Sequence, residues 1–542
     1  MIKSFNKAKS LVPMNKRNKQ LVYAIVLLNT ALDNMNVSGT MTSVFSITNH
    51  FQSTTTTTSW ILAAYALTLG ACIIISGKLS DVLGAHNIFI YGLFGQSIMA
   101  LITAVIDDQI IVLIVFRALQ GVFASTLIPA AFSITGNYFQ GKALSKAISF
   151  LLMAVTASLG VGLILGGAFS ETNIGYKGLY YFTFALGFTS SIFLFFYAIP
   201  ITPTKEHEQL KIKNLDFGGS VLLVTGLILM ILGLTEGGES WKDPVSYVPL
   251  IIGGLTTIGV ILFEMVYIQN FKNKVDREST TLENKDDEES LDVNINSKKK
   301  DWRYNLELLF PGEVARVPNF PQYVISSFFY YMCLISVTTT NIQYNQYVTL
   351  DSPIICGLKA LPISLGLLTG ATIYRHHIAK KAGVRLVYTS SAIITITMTV
   401  WISRLNFQEK NSYWKYECFG QYFFGYGINL YFQVLWNDYS LDTPLHLQGV
   451  VSGILQTAGQ IGICFGNTII ATINGDIHSD KSWENRIELH DKFKKNYYLV
   501  YAACGLAFFV FLTMKSGKPQ VEQTEQSSEQ SIEESSQNKE DS

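Results

Sequence analysis

LLNTALDNMNVSGTMTSVF, residues 27–45, decides how the rest of the chain is read. The apolar run LVYAIVLL (21–28) leads into it, so the whole segment reads as one membrane-spanning helix. Yet Asp33 stands inside it. A carboxylate within the bilayer costs several kcal/mol unless it faces a cavity or a partner, so such a residue is a candidate functional group. The question is what lies opposite it.

The composition supports the membrane reading. Of 542 residues, 49% are hydrophobic and 15% are charged, against about 25% charged in soluble domains. Long apolar segments recur along the chain, more than soluble cores could bury, so the chain reads as a polytopic protein of the lipid bilayer. The net charge of +0 gives no pointer to nucleic acid. Six cysteines (Cys72, Cys333, Cys356, Cys418, Cys464 and Cys504) lie in or beside apolar segments without a Cys-x-x-Cys spacing, and read as small buried hydrophobes. The first apolar segment is too long for a cleaved signal peptide and should act as an anchor.

Fourteen segments approach the ~20 residues that cross a bilayer. They fall at 20–45, 58–79, 88–106, 110–136, 147–169, 178–200, 217–235, 247–268, 321–345, 354–374, 384–404, 414–436, 448–473 and 497–514. All should be helices, because only internal hydrogen bonding satisfies a spanning backbone. The N-terminal 19 residues hold six basic residues and no acid, which places them in the cytoplasm. The loop YRHHIAKKAGVR (374–385) then also falls inside, and an even span count returns the C-terminus to the cytoplasm. The loops 403–415 and 474–496 fall outside although they carry basic residues.

The expected organisation is a basic tail (1–19), a six-helix bundle (20–200), an inserted helix pair (217–268), a cytoplasmic linker (269–320), a second six-helix bundle (321–514) and an acidic tail (519–542). Within the linker, 274–301 mixes dense charge with Ser and Asn and should be disordered, as should the tail. Residues 302–320 read either as an amphipathic stretch on the membrane surface or as plain connecting chain. GKLSDVLGAHN between spans 2 and 3 and GATIYRHHIAKKAGVR between spans 10 and 11 form a weak internal repeat.

Four motifs carry a resemblance to the major facilitator superfamily, in its fourteen-helix drug:proton antiporter branch. GKLSDVLG matches the family loop G-x-L-x-D-R-x-G through Gly77, Leu79, Asp81 and Gly84. LIVFRALQG matches L-x-x-x-R-x-x-Q-G through Leu113, Arg117, Gln120 and Gly121. SLGVGLILGG is similar to the antiporter pattern G-x-x-x-G-P-x-x-G-G through Gly162, Gly166 and Gly167. ALDNMNV resembles the span-1 pattern with its Asp, here Asp33. SGTMTSVFSI, NIQYNQYV and LQGVVSGILQTAGQ are nearest the fungal aminotriazole- and boron-resistance exporters. The chain departs from the patterns at Val82, at Ala85–Asn87, and at Ser158 and Leu163, where the family carries Arg, basic residues, Gly and Pro.

At 1.5 Å per residue, Asp33 lies ~20 Å from the inner end of span 1, and Arg117 ~10 Å from the outer end of span 4. In a core ~30 Å thick these depths coincide. The expectation is an ion pair across a central cavity, with Asp33 exchanging a proton when substrate arrives; a fixed structural pair and no contact at all are the alternatives. Gln120 lies one turn from Arg117, and Asn29 and Asn36 lie one turn either side of Asp33. Asn341, Gln343, Asn345, Gln421, Asn429, Gln433, Gln456 and Gln460 are further cavity candidates, or else helix-to-helix hydrogen bonds. Gly77, Asp81 and Gly84 form the expected gating loop, with Gly77 allowing close helix approach. Gly162, Gly166 and Gly167 give span 5 a small-residue face. Glu264 and Lys359 are expected to snorkel to the interface.

No phosphate-binding G-x-x-x-x-G-K-[ST] loop, metal spacing or catalytic triad is present, so neither a cofactor nor an enzyme is called for. The resemblance implies a proton-coupled exporter of small organic solutes, drugs or weak acids, monomeric and in the plasma membrane. An importer or vacuolar carrier of amino acids, ammonium or metal chelates, and a non-transporting sensor on the same fold, are the rival readings.

Overall fold

The computed structural model describes residues 13, 17–199, 214–237, 241–282, 301–373, 383–443, 445–477 and 481–514. The acidic tail, most of the basic tail and the loop 374–382 lie outside the described residues. The helices are α1 (Lys19–Phe51), α2 (Thr55–Leu83), α3 (Ala85–Val105), α4 (Ile110–Ala124), α5 (Leu127–Tyr138), α6 (Gly141–Ser170), α7 (Lys177–Tyr197), α8 (Phe217–Gly237) and α9 (Pro244–Leu262). They continue as α10 (Gln269–Leu282), α11 (Trp302–Asn305), α12 (Phe320–Gln343), α13 (Pro353–Lys359), α14 (Leu361–Ile373), α15 (Val384–Ile402), α16 (Phe419–Asp442), α17 (Leu445–Asn474) and α18 (Trp483–Leu512). Short π turns extend α9, α12 and the entry to α16. Among the described residues the one β feature is an isolated bridge between Leu215 and Glu307.

The protein is therefore an all-α membrane protein. Among the described residues, twelve helical segments are long and apolar enough to cross a bilayer. Two of the fourteen expected spans are not among them: α1 and α16, of 33 and 24 residues. Both have the length but are diluted by polar residues, and in α1 these are mostly buried against other helices. Spans 4 and 10 are each broken by a single turn, at Ser125–Thr126 and at Ala360. Pro129 and Pro362 follow these breaks, and a proline has no N–H to bond the carbonyl four residues back.

α1 packs along α6, α2 along α17, α12 along α17, and α14 along α16. The inserted pair α8–α9 rests through α8 on both α2 and α17. The glycine expected to let α2 approach its neighbour closely is not Gly77: a Cβ there would lie 3.8 Å from Pro129 Cβ, an ordinary contact. Gly70 is the tight position, with Gln460 Cβ 2.5 Å from the Cβ site. Gly84 sits at φ +87°, a backbone state that favours glycine, where α2 ends and α3 begins.

Three further expectations are corrected. Residues 274–282 are helical, because Val275 is buried and Arg303 stacks 4.2 Å over the Phe271 ring one turn away. The outer loop ending at 496 is helical from Trp483, where the Ser482 hydroxyl caps the Asn485 amide and Leu489 and Phe493 bury at one-turn spacing. Glu264 does not snorkel: it is fully buried. Lys359, by contrast, reaches the loop before α13, where it pairs with Asp351.

Candidate functional site

A cavity of about 150 Å³ lies between the two bundles. α1 supplies Thr30, Asp33 and Asn34 to its wall, α2 supplies Tyr65, α12 supplies Tyr331, and α17 supplies Gln456, Gln460 and Asn467. Asp33 is 4% exposed and accepts hydrogen bonds from the Tyr65 hydroxyl and, at 2.5 Å, from Gln96 Nε2 on α3. Gln96 also lies 3.3 Å from the Tyr65 hydroxyl, so the three groups close on one another.

Arg117 is fully buried. It forms no direct ion pair with Asp33, which corrects the expected pairing. Its guanidinium lies 4.4 Å over the Tyr65 ring and 5.6 Å from the Tyr180 ring, donates to Gln120 Oε1 at 2.7 Å, and reaches the Ile61 carbonyl at 3.4 Å. One Arg117 nitrogen, Nη2, has no acceptor. Tyr65 thus stands between the charges, with its hydroxyl on the carboxylate and its ring under the cation. Asp33 and Arg117 meet across Tyr65, a side chain that helix rise alone does not place.

The other candidates divide. Gln456 and Gln460 line the cavity, and Gln456 accepts from the Tyr331 hydroxyl at 3.1 Å. Asn341 is taken by the Tyr497 hydroxyl at 2.6 Å, and Gln343 by Asn474 at 3.2 Å. Asn29, Asn36, Asn429 and Gln433 do not line this cavity. Asn29 bonds back to the Ile25 carbonyl, while the buried Asn36 amide and the Asn429 oxygen have no partner. Asn345 and Gln421 converge at 2.7 and 2.8 Å on Glu417, a buried carboxylate.

α6 meets α1 through its glycines. A Cβ on Gly162 would fall 2.0 Å from Ser38 Oγ, and one on Gly166 would fall 2.0 Å from the Gly39 carbonyl oxygen. Gly167 faces the Pro353 carbonyl oxygen at 2.4 Å in the same sense. Ser158, where the antiporter pattern has glycine, accepts from Asn34 at 3.1 Å and so ties α6 to the cavity wall. Leu163 leaves α6 unbroken over its 30 residues. Asp81 lies in the last turn of α2, and its side chain is outside the described residues.

The bundle is closed at the end that carries the loop 52–54. There Thr55 Oγ1 donates to the Gly475 carbonyl at 3.1 Å, Thr56 Oγ1 to Asp476 at 2.9 Å, and Gln346 to the Thr42 carbonyl at 2.9 Å. At the opposite end a larger cavity of about 370 Å³ is lined by Gly77, Lys78, Pro129, Trp436, Gln448 and Gln456, among others. Gln456 borders both cavities.

Reasoning from sequence missed Tyr65, Gln96 and Glu417. Gln96 carried a signal, as a lone amide within an apolar span; Tyr65 carried none, since tyrosines are common along the chain.

The Major Facilitator Superfamily model matches residues 26–467. Among curated proteins, a puromycin resistance protein of Streptomyces alboniger is 21% identical over 428 residues, 77% of this chain and 74% of its own length. An aminotriazole resistance protein and a low affinity ammonium transporter, both of Saccharomyces cerevisiae, are 26% and 30% identical over 245 and 217 residues. These two matches span 44% and 38% of this chain, and 44% and 41% of the relatives' own lengths. Solved structures share the fold. A POT family transporter superposes with a TM-score of 0.59 at 11% identity over 91% of this chain and 97% of its own. A bacterial homologue of a human lysosomal transporter, in an inward-facing state, gives 0.56 at 13% over 92% and 97%.

Proposed function

The chain belongs to the major facilitator superfamily, and on that premise we propose that it is a proton-coupled antiporter exporting small organic solutes, drugs or weak acids. One observation carries this reading: Asp33 is a buried carboxylate on the wall of the central cavity, held by two neutral donors rather than neutralised by a salt bridge. A carboxylate so placed takes up and releases a proton without first breaking an ion pair. Arg117, fixed behind the Tyr65 ring, lends positive potential to the ionised form. Substrate enters from the wider cavity, past Gln456, and meets Asp33, Gln456 and Gln460. Competition between substrate and proton for Asp33 then couples the two fluxes. The resistance proteins among the relatives support export. The protein acts as a monomer in the plasma membrane with both termini in the cytoplasm.

The test is transport by reconstituted protein under an imposed pH gradient. Asp33→Asn keeps the shape and the hydrogen bonds but cannot release a proton. It should abolish gradient-driven transport while preserving downhill exchange. Gradient-driven transport at the wild-type rate by this variant would overturn the proton role. The ammonium-transporter relative favours import as the second reading. Proton release into the lumen or out of it, on substrate addition, separates the two.

A further inference from the structure

Away from the central cavity, two carboxylates meet at the foot of the inserted pair. Asp216 precedes α8, and its Oδ1 accepts from the Gly219 amide at 2.6 Å. Glu264, on the π turn that follows α9, has Oε2 accepting from the Phe310 amide at 2.8 Å. Their other oxygens converge: a Cβ on Gly219 would lie 2.6 Å from Asp216 Oδ2 and 2.7 Å from Glu264 Oε1. Two ionised carboxylates offer only acceptors. Glu264 Oε1 is accordingly buried with no donor. A single proton between the two groups supplies that donor and removes the repulsion of like charges in a poorly solvated site.

The surrounding charges do not supply it. Lys78 of α2 donates to the Leu308 carbonyl and lies 3.5 Å from Glu307, and Lys272 of α10 donates to the Leu306 carbonyl at 2.6 Å. Asp276 acts on Lys272, and Glu313 and Arg316, on the neighbouring turn, are exposed. A cavity of about 390 Å³ bordered by Trp302, Leu306 and Thr256 leads to the carboxyl pair and offers a proton its route.

We propose that Asp216 and Glu264 bind one shared proton, a protonation site separate from Asp33, and that this proton keeps the segment Leu306–Phe310 docked on the inserted pair. The segment is a strap. It is held by the two lysines, by the Phe310 amide on Glu264, and by the Glu307 amide on the Asn214 carbonyl at 2.6 Å. Within the strap, Leu308, Leu309 and Phe310 are buried, so 306–310 is packed against the protein rather than lying loose. Lys78 follows Gly77 directly, so the strap joins the inserted pair to the end of α2. Loss of the proton leaves two negative charges facing each other over Gly219 and pushes Glu264 off the Phe310 amide.

Hydrogen–deuterium exchange of the full-length protein in nanodiscs tests this at the peptide containing Phe310, with rates normalised to intrinsic exchange at each pH. Protection in the wild type should fall about tenfold between about pH 6 and about pH 9. Glu264→Gln, whose carbonyl still accepts from Phe310 and whose amide donates to Asp216, should hold protection constant over that range. Infrared difference spectra between wild type and this variant should show a protonated-carboxyl band that disappears at the higher pH. A flat wild-type profile, a variant that follows the wild type, or the absence of that band would overturn the proposal. Should Glu264→Gln fail to fold, Asp216→Asn serves in the same measurements with the same expected outcome.

Discussion

Tyr65→Phe removes one hydroxyl and leaves the ring beneath Arg117 in place. The lost bond runs from a neutral donor to the buried Asp33 carboxylate. Hydrogen bonds to charged groups contribute about 1.5–3 kcal/mol, and a carboxylate left short of a donor adds to the loss. Gln96 still donates to Asp33, so the destabilisation should stay within that range. Paired with Asp33→Asn, the same substitution should cost about 1 kcal/mol less, because the bond it breaks is then between neutral groups. The coupling in this cycle should exceed that of the Asp33→Asn/Arg117→Gln cycle, since Arg117 reaches Asp33 only through the Tyr65 ring. Thermal unfolding of the wild type, the single variants and both double variants in nanodiscs at one pH reads these differences. Tyr65 and Asp33 substitutions that add within about 0.5 kcal/mol, or a stronger Asp33–Arg117 coupling, would refute the arrangement in which tyrosine separates the charges.

The remaining expectations are simpler. Gly166→Ala drives a methyl to 2.0 Å from the Gly39 carbonyl oxygen, so it should lower stability by about 1–3 kcal/mol or prevent folding, whereas Gly77→Ala meets nothing closer than 3.8 Å and should be neutral or stabilising by unfolding midpoint. Asp107, in the turn between α3 and α4, is held below the usual carboxylate range by its hydrogen bond and ion pair with Lys177, and by His50. That depressed value means the stabilisation is present above the ordinary carboxylate pKa and is lost as pH falls through the folded one. Asp107 is half exposed, so Asp107→Asn should cost under about 1 kcal/mol at neutral pH and nothing in strong acid; a constant cost across that range would contradict the assignment. Tags at both termini should resist external protease in intact cells and become accessible only after permeabilisation; cleavage of one tag alone would require an odd number of spans.

Helix positions, and the depth of Asp33 and Arg117, were legible because apolar runs of bilayer length are a strong one-dimensional signal. What depth does not give is azimuth. Asn341 and Gln343 lie close in depth to cavity residues but face α18 and α17, where Tyr497 and Asn474 take them. Gln456 and Gln460, one turn apart on α17, face inward. Glu264 was read as interfacial because it stands near a span end, yet the strap folds over it and supplies a backbone donor from 46 residues away. Such a contact has no local signature. The glycines of α6 were legible as a small-residue stripe, but which glycine of α2 is crowded depends on where α17 crosses it, and that is Gly70.

Among the described residues, the closed end of the bundle is bridged by individual hydrogen bonds. Besides those of Thr55, Thr56 and Gln346, the Ile477 amide donates to Thr55 Oγ1 at 3.0 Å and the Ile354 amide to Glu171 at 3.0 Å. At about 0.5–1.5 kcal/mol net for each, these five contacts amount to a few kcal/mol. Moving a two-state equilibrium from one side to the other takes about 5.5 kcal/mol of differential binding. The closure is therefore of a strength that differential binding of substrate or proton in the adjoining cavity can overcome. Substituting a stronger lock should therefore arrest the cycle without unfolding the protein. Two cysteines at Thr56 and Asp476, cross-linked by oxidation, should stop transport, and reduction should restore it. Transport that continues through the cross-link would show that this end does not open.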